Sequence, residues 1–225
     1  MPKIQPQNDT PAKKRVLIVD DHPIFRAGLN GLVNLEAELT VCGEANDAKQ
    51  AMQAVEKLHP DLVLLDMSLP GKGGLELLKD IRALAPQTPV LIISMHDETL
   101  YAERVIKAGG RGYIMKQEGP EKIVQAVRKV LSGGISVSER IAAQILDAMS
   151  GGKSGTSSSV STLTDREFEV YRLLGQGKEP HEIARTLHLS IKTVDTHRAH
   201  IRQKLSLRNA TELIHHATRW TAEQG

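Results

Sequence analysis

Five polar side chains stand at the ends of four short apolar runs of the chain. Asp20 and Asp21 follow the first run, Asp66 and Ser94 close two later ones, and Lys116 follows the last. If the runs are parallel strands, their carboxyl ends share one edge of a sheet and bring these side chains together. Three clustered carboxylates raise one another's pKa unless a cation joins them. Such an oxygen-rich set suits Mg²⁺.

The same side chains could carry out phosphoryl transfer. With the cation bound, Asp66 could act as a nucleophile toward a phosphoryl group and form an acyl phosphate. The cation and the Lys116 ammonium would neutralise charge on the transferring oxygens, and the Ser94 hydroxyl would donate a hydrogen bond to one of them. A single Asp after a strand is often only a helix cap or a solvated loop residue. The five residues together favour a functional site.

The first half of the chain must supply the sheet that positions them. Apolar runs predict strands at residues 16–19, 41–45, 62–65, 90–93 and 112–115. Helical spacing predicts helices at residues 24–33, 48–58, 75–84, 100–108 and 121–131, and a further one at 138–148. Continuous apolar strands indicate burial on both faces. The pattern predicts an α/β doubly wound domain with a five-stranded parallel sheet, a flavodoxin-like fold.

The second half is predicted to be a small all-α domain of four helices, at residues 164–174, 182–187, 191–205 and 211–220. Thr164 and Glu167 have the spacing of a capping box, and Ser190 can cap the third helix. Residues 151–161 are rich in Gly and Ser, which is typical of a flexible tether. We therefore expect a disordered tail at 1–14, one domain at 15–134, a helix and linker at 135–161, and a second domain at 162–225.

Composition limits the classes of protein that fit. The chain has one cysteine, Cys42, so an intrachain disulfide is excluded and a cytoplasmic location is expected. It has no apolar run of about 18 residues, the length that a membrane span needs. The formal net charge of +2 is too small to identify a nucleic-acid-binding protein by itself.

The third helix of the second half has two faces. Val194, His197, Ile201 and Leu205 form an inward stripe, and the opposite face includes Asp195 and other polar residues. A helix of this kind fits the major groove of DNA. Spacing alone is equally compatible with a helical bundle whose charged face is solvated.

Residues 15–132 resemble the receiver domain of two-component systems. The resemblance rests on four motifs, at residues 19–23 (VDDHP), 65–71 (LDMSLPG), 93–97 (ISMHD) and 108–116 (AGGRGYIMK). It implies that Asp66 is the phosphoacceptor and that Asp20, Asp21, Asp66 and the main-chain carbonyl of Ser68 hold Mg²⁺. Ser94 and Lys116 match the family's phosphoryl-stabilising hydroxyl and lysine. Tyr113 matches the switch aromatic that turns inward on activation, and an ordinary packing role is the alternative.

One departure from many receivers concerns the residue after the lysine. Gln117 stands where many members have proline, so no cis peptide bond is expected there.

Residues 162–219 are similar to the LuxR-type helix-turn-helix domain of the NarL/FixJ family, through residues 163–167 (LTDRE), 182–184 (EIA), 189–190 (LS) and 192–197 (KTVDTH). The resemblance implies base-facing positions at Asp195, Thr196 and Ala199. Candidate DNA contacts also include Thr193 and, on the phosphates, Lys192, Arg198, Arg202 and Lys204. Asp195 departs from members with lysine there; its carboxylate could accept from cytosine N4 or tether a neighbouring arginine.

The resemblance also implies the partners. They are a cognate histidine kinase, double-stranded promoter DNA and a second copy of the chain, with RNA polymerase as a further candidate and no membrane. Leu213, Ile214 and Ala217 of the last helix are candidates for the dimer contact, for the core, or for both. We expect the chain to catalyse no reaction other than its own phosphorylation and dephosphorylation.

Three alternatives remain at this point. A phosphatase on a similar sheet would need a second carboxylate two residues after Asp66, where Ser68 stands. A DNA-binding protein that ignores phosphorylation would carry a vestigial pocket, which the complete set of five residues disfavours. An adaptor that has lost DNA binding would fit the modest charge and Asp195.

Overall fold

The computed structural model describes residues 12–149 and 160–224. The tail predicted at residues 1–14 and the tether predicted at 151–161 therefore lie mostly outside the described residues. Lys14 already belongs to the first strand, so the predicted boundary at residue 15 falls inside that strand.

A five-stranded parallel sheet forms the centre of the first domain. Its strands are β1 (Lys14–Val19), β2 (Leu39–Ala45), β3 (Leu62–Asp66), β4 (Val90–Ser94) and β5 (Gly112–Met115). They lie in the order β2-β1-β3-β4-β5, and each neighbouring pair is parallel. The chain passes from β1 to β2 on one side and then continues from β3 to β5 on the other side of β1. This reversal is typical of doubly wound sheets and confirms the predicted fold class.

Helices cover both faces of this sheet. They are α1 (Pro23–Leu35), α2 (Ala48–Leu58), α3 (Gly74–Leu84), α4 (Glu98–Lys107) and α5 (Pro120–Leu131), followed by α6 (Glu139–Met149). In α5 the apolar residues repeat at helical spacing, and Ile123, Val124, Val127 and Val130 are all buried against the sheet domain. All six predicted helices are present, with ends that differ by at most two residues.

The second domain opens with a 3₁₀ turn (Val160–Thr162) and contains α7 (Asp165–Gly175), α8 (Pro180–Thr186), α9 (Ile191–Lys204) and α10 (Ala210–Gln224). The capping box of Thr164 with Glu167 and the Ser190 cap of α9 are confirmed. A second capping box, between Glu179 and Glu182, was not predicted. It starts α8 at Pro180 rather than at residue 182, because Pro is favoured at the first helical position.

The core on one side of the sheet continues into the second domain. Leu17 and Val19 of β1 and Tyr101 of α4 belong to the same buried cluster as Phe168 of α7. The rings of Tyr101 and Phe168 meet edge to face, with centroids 5.4 Å apart. The two domains therefore pack against each other through α4 and α7.

None of the helices within residues 12–149 and 160–224 is long and apolar enough to cross a membrane.

Candidate functional site

The carboxyl ends of the strands bring the predicted chemical groups together. Asp66 ends the central strand β3, Asp20 follows β1, Ser94 ends β4, and Lys116 follows β5. The Lys116 Nζ atom lies 2.8 Å from Asp66 Oδ2 and 2.7 Å from Asp20 Oδ2. Residues nearly a hundred positions apart thus meet in one ion cluster, as the sequence predicts.

A glycine fixes the loop that follows Asp66. A Cβ atom added to Gly74 would lie 2.6 Å from the Asp66 carbonyl oxygen and 2.6 Å from Met67 Cα. The Gly74 amide donates to the Met67 carbonyl over 2.9 Å, and the Ser68 amide donates to Asp66 Oδ1 over 3.2 Å. Only a residue without a side chain permits this close approach, which closes the loop and directs the Asp66 carboxylate.

Burial controls the charge of the cluster. Asp20 and Asp66 are almost completely buried. Removal from water raises the pKa of Asp66 to about 6, although the charge and hydrogen bond of Lys116 oppose the rise. Asp66 is therefore ionised near pH 7 and available as a nucleophile.

The cluster also fits a divalent cation. Asp20, Asp21, His22 and Asp66 each offer one ligand atom, and the four atoms all lie within 4.8 Å of one another. Asp20 Oδ2 and Asp21 Oδ1 are buried and accept no well-aligned hydrogen bond from the described residues, although Lys116 Nζ lies 2.7 Å from the first. Clustered carboxylate oxygens suit a hard cation such as Mg²⁺. His22 was not among the predicted ligands; its Nδ1 lies 2.8 Å from Asp21 Oδ1.

Ser94 and Tyr113 are connected through one residue, His96. The buried Ser94 hydroxyl accepts from the His96 amide over 3.0 Å, and the Tyr113 hydroxyl donates to the His96 carbonyl over 2.8 Å. Tyr113 is 2% exposed, so its ring already lies inward. The Ser68 hydroxyl lies 3.3 Å from His96 Nε2. The metal role predicted for the Ser68 carbonyl stays a prediction, and the Lys116–Gln117 peptide is trans, as expected.

Arg104 of α4 fastens the second domain to the first. Its guanidinium donates to the carbonyls of Leu163 and Val160, over 2.9 Å each. It also lies 4.2 Å from the centre of the Phe168 ring. One half-buried cation therefore satisfies two carbonyls just before α7 and packs on the aromatic ring of α7.

A cavity of about 250 Å³ remains between the domains, directly outside the ion cluster. Asp21, His22, Ser68 and His96 line it on the sheet side, and Arg166 and Arg172 of α7 line it on the other. The Arg172 Nε atom donates to the Tyr101 hydroxyl over 3.0 Å. Sequence reasoning assigned no role to these arginines, because nothing in their spacing reveals which surface α7 packs on.

The outward face of α9 is open to solvent. Asp195, Thr196 and Ala199 are exposed, whereas Val194 and Ile201 are buried, as the predicted stripe requires. Asp195 Oδ1 accepts from Arg198 Nη1 over 2.8 Å. Of the two roles that the sequence left open for Asp195, the structure contains the arginine tether.

The remaining candidate DNA contacts differ in how free they are. Lys192 is exposed and Arg202 is half-buried, whereas Lys204 Nζ lies 2.7 Å from Glu167 Oε2 of α7. The Thr193 hydroxyl lies 2.7 Å from that of Ser190 at the helix cap. Lys204 and Thr193 thus have partners within the domain.

The three residues of α10 that are candidates for the dimer contact differ in burial. Leu213 and Ala217 are fully buried in the domain core, whereas Ile214 is 43% exposed. Ile214 is therefore the one of the three whose side chain a second copy could contact in this conformation.

Comparison with known families agrees with both domains. A family model described as response regulator receiver domain matches residues 16–128. A second, described as bacterial regulatory proteins of the luxR family, matches residues 161–217.

Individual relatives match over nearly the whole chain. The nitrate/nitrite response regulator protein NarL of Escherichia coli K12 is 33% identical over 207 residues, covering 91% of this chain and 94% of its own. The oxygen regulatory protein NreC of Staphylococcus carnosus is 32% identical over 208 residues, covering 90% and 96%. The structure of RcsB from Salmonella enterica serovar Typhimurium, bound to promoter rprA with the phosphomimetic BeF3-, aligns with a TM-score of 0.61 at 26% identity, covering 92% of this chain and 98% of RcsB.

Proposed function

Because the chain belongs to the two-component response regulators that join a receiver to a LuxR-type DNA-binding domain, we propose that phosphorylation of Asp66 controls its binding to promoter DNA. A cognate histidine kinase or a small phosphodonor supplies the phosphoryl group. RNA polymerase is a further candidate partner at the promoter.

The observation that carries this proposal is the position of the Lys116 ammonium between Asp20 and Asp66. It lies where the oxygens of a phosphoryl group on Asp66 would need a cation. The ammonium is 5% exposed, so its charge is poorly screened by water. Such fixed charge stabilises a transferring phosphoryl group more than an exposed lysine would.

Asp66 attacks the phosphorus of the donor and forms an acyl phosphate. With a phosphohistidine donor, the P–N bond breaks, its electron pair returns to the imidazole, and a new P–O bond forms to Asp66. Mg²⁺ held by Asp20, Asp21 and Asp66 would supply further positive charge to the phosphoryl oxygens. Lys116 and the Ser94 hydroxyl then stabilise the bound group. Beyond its own phosphorylation and dephosphorylation, the chain catalyses no reaction in this proposal.

A route for the switch runs from Ser94 to the second domain. When the Ser94 hydroxyl turns to a phosphoryl oxygen, it gives up the bond from the His96 amide. The His96 ring stacks on Tyr101, with centroids 5.3 Å apart, and Tyr101 accepts from Arg172 of α7. Movement of His96 thus weakens the α4–α7 contact and shifts the population toward separated domains.

Separated DNA-binding domains then pair on DNA. We propose that α9 enters the major groove and that α10 of two copies forms the dimer contact, with Ile214 as the exposed apolar residue. Pairing by a two-fold axis makes a palindromic operator the expected target.

The experiment is a phosphorylation assay followed by DNA titration. Full-length wild type, Asp66→Ala and a control, Asp47→Ala, which changes the half-buried N-cap of α2, are incubated with acetyl phosphate and Mg²⁺, and intact mass spectrometry records bound phosphate. Gel-shift titration on promoter fragments bound by the phosphorylated wild type follows. Wild type and Asp47→Ala should gain one phosphoryl group and bind DNA more tightly, whereas Asp66→Ala should do neither. Equal DNA affinity of wild type and Asp66→Ala after treatment would reject the switch.

A further inference from the structure

The wall of the interdomain cavity contains a buried cation with unused donors. Arg172 is 9% exposed, and its side chain makes one hydrogen bond, from Nε to the Tyr101 hydroxyl. Within the described part of the chain, its Nη atoms have no acceptor within hydrogen-bond distance. A guanidinium so far out of water loses much of its hydration and gains strongly from an anion.

Arg166, the second arginine of the same wall, has hydrogen-bond partners on both terminal nitrogens. Its Nη1 donates to Glu169 over 2.6 Å, and its Nη2 donates to the carbonyls of Gly71 and Leu187 over 3.2 and 2.7 Å. Of the two arginines of this wall, Arg172 is the one whose terminal nitrogens remain available to a ligand.

The opposite wall is the entrance to the phosphorylation pocket, formed by Asp21, His22 and Ser68. His96 also lines the cavity, with its Nε2 atom 3.3 Å from the Ser68 hydroxyl. On the α7 side an anion in the cavity would meet the charge of Arg172, since Arg166 already pairs with the Glu169 carboxylate of the same wall.

We propose that this cavity binds a small acyl phosphate, and that Arg172 of the DNA-binding domain contacts the leaving carboxylate while Asp66 takes the phosphoryl group. The inference rests on the proposed phosphorylation of Asp66. A cavity of about 250 Å³ accommodates a molecule the size of acetyl phosphate but not a folded protein. In-line attack by Asp66 directs the leaving group outward, toward α7.

The step balances without a further reagent. Asp66 forms a bond to phosphorus, the bond between phosphorus and the acyl oxygen breaks, and its electron pair stays on that oxygen, which leaves as a carboxylate. Negative charge grows on the acyl oxygen as the bond breaks, and a guanidinium there lowers the barrier.

Phosphoramidate provides the matched donor, because its leaving group is ammonia and develops no negative charge. Arg172→Gln should therefore slow phosphorylation by acetyl phosphate on the order of tenfold, the effect of one charged hydrogen bond. Phosphorylation by phosphoramidate should keep its wild-type rate.

The test uses the full-length chain with Mg²⁺ and both donors, and intact mass spectrometry follows the uptake of phosphate. Arg185→Gln on α8 serves as control, since Arg185 is exposed and does not line the cavity. Tyr101→Phe is the second variant. It removes only the hydroxyl that orients Arg172, and should produce a smaller slowing with acetyl phosphate alone.

Selective slowing with acetyl phosphate supports the inference. If Arg172→Gln is phosphorylated equally slowly with both donors, or at the wild-type rate with both, the role of Arg172 is overturned. The proposed phosphorylation of Asp66 is not affected by that result. If the wild type accepts phosphate from neither donor, the proposed function fails as well. Should Arg172→Gln not fold, the donor selectivity of Tyr101→Phe decides by the same criterion.

Discussion

The Lys116 ammonium lies 2.8 Å from the Asp66 carboxylate and holds it within the same ion cluster as Asp20. All three side chains are at most 5% exposed, so water screens their charges poorly. The lysine thus keeps two buried carboxylates together in the absence of any other cation. It contributes to the stability of the fold as well as to the chemistry.

Lys116→Met should destabilise the receiver by about 3 kcal/mol at pH 7.5, because it leaves two buried carboxylates without their cation. Urea unfolding followed by circular dichroism measures the loss, first with a chelator and then with Mg²⁺. The added cation should restore part of the stability of the variant, since it replaces the missing positive charge.

Lys122→Met is the control for that change, because Lys122 is exposed and pairs with Glu118 at the surface. We expect it to change the free energy of unfolding by less than about 0.5 kcal/mol. A Lys116→Met variant as stable as this control would show that the cluster does not depend on the lysine.

The raised pKa of Asp66 predicts a pH-dependent stability. Its value of about 6 lies above the ordinary 3.8, so the folded chain binds a proton that the unfolded chain releases between these pH values. This contribution to stability is complete below pH 3.8 and is lost as the pH rises through 6. The amide side chain introduced by Asp66→Asn cannot ionise. The free energy of unfolding of this variant should therefore exceed that of the wild type by about 3 kcal/mol above pH 6 in metal-free buffer.

Urea unfolding at pH 4 and pH 7.5 with a chelator checks this expectation. The advantage of Asp66→Asn should appear at pH 7.5 and nearly vanish at pH 4. Asp61→Asn, at the opposite end of the sheet and paired with Lys14, should show no such gain. A wild type that is as stable as Asp66→Asn at pH 7.5 would contradict the raised pKa.

The receiver pocket was predictable because topology determines it. Once residues 16–19, 62–65, 90–93 and 112–115 are recognised as parallel strands, Asp20, Asp66, Ser94 and Lys116 must share one edge. The boundaries of α8 were less predictable, since a cap by Glu179 is rarer than caps by Ser, Thr, Asp or Asn.

The docking of the domains could not be predicted. The contacts of Arg104 with the Val160 carbonyl and of Arg172 with Tyr101 join residues 56 and 71 positions apart. Neither arginine has a local signature, because a long cationic side chain on a helix is normally solvated. These cations are shielded from water because α7 packs against the first domain. The periodicity of the sequence does not indicate which surface α7 packs against.

Arg104→Ala should separate the two domains, because it removes both bonds to the chain before α7 and the contact with Phe168. Small-angle X-ray scattering of the unphosphorylated chain should show a larger radius of gyration than that of the wild type. Lys107→Ala, one turn later on α4, removes only a surface pair with Glu103 and should leave the radius unchanged. Identical scattering of Arg104→Ala and wild type would show that this residue does not hold the domains together.

Leu213 is buried and Ile214 is exposed in α10, so substitutions at these two positions test folding and dimer formation separately. Leu213→Ala should destabilise the second domain by about 3 kcal/mol, because its side chain is completely buried. Ile214→Ala should lower the free energy of unfolding of this domain by less than about 1 kcal/mol. It should still reduce cooperative binding to a two-fold operator. Thermal unfolding and DNA titration of both variants check this. Cooperative binding by Ile214→Ala equal to that of the wild type would remove α10 from the dimer contact.

The tether between Asp195 and Arg198 predicts how α9 meets DNA. Asp195→Ala removes a negative charge from the outward face and releases Arg198 for a phosphate. Binding should tighten on every duplex, and the log–log salt dependence should steepen by about 0.9 for the added phosphate contact. Fluorescence anisotropy over a range of salt concentrations, with a duplex selected from a random pool by the wild type, measures both effects. Glu223→Ala, which removes an exposed charge on α10, should change neither. A loss of affinity confined to duplexes with one particular C·G pair would instead mean that the Asp195 carboxylate reads cytosine directly.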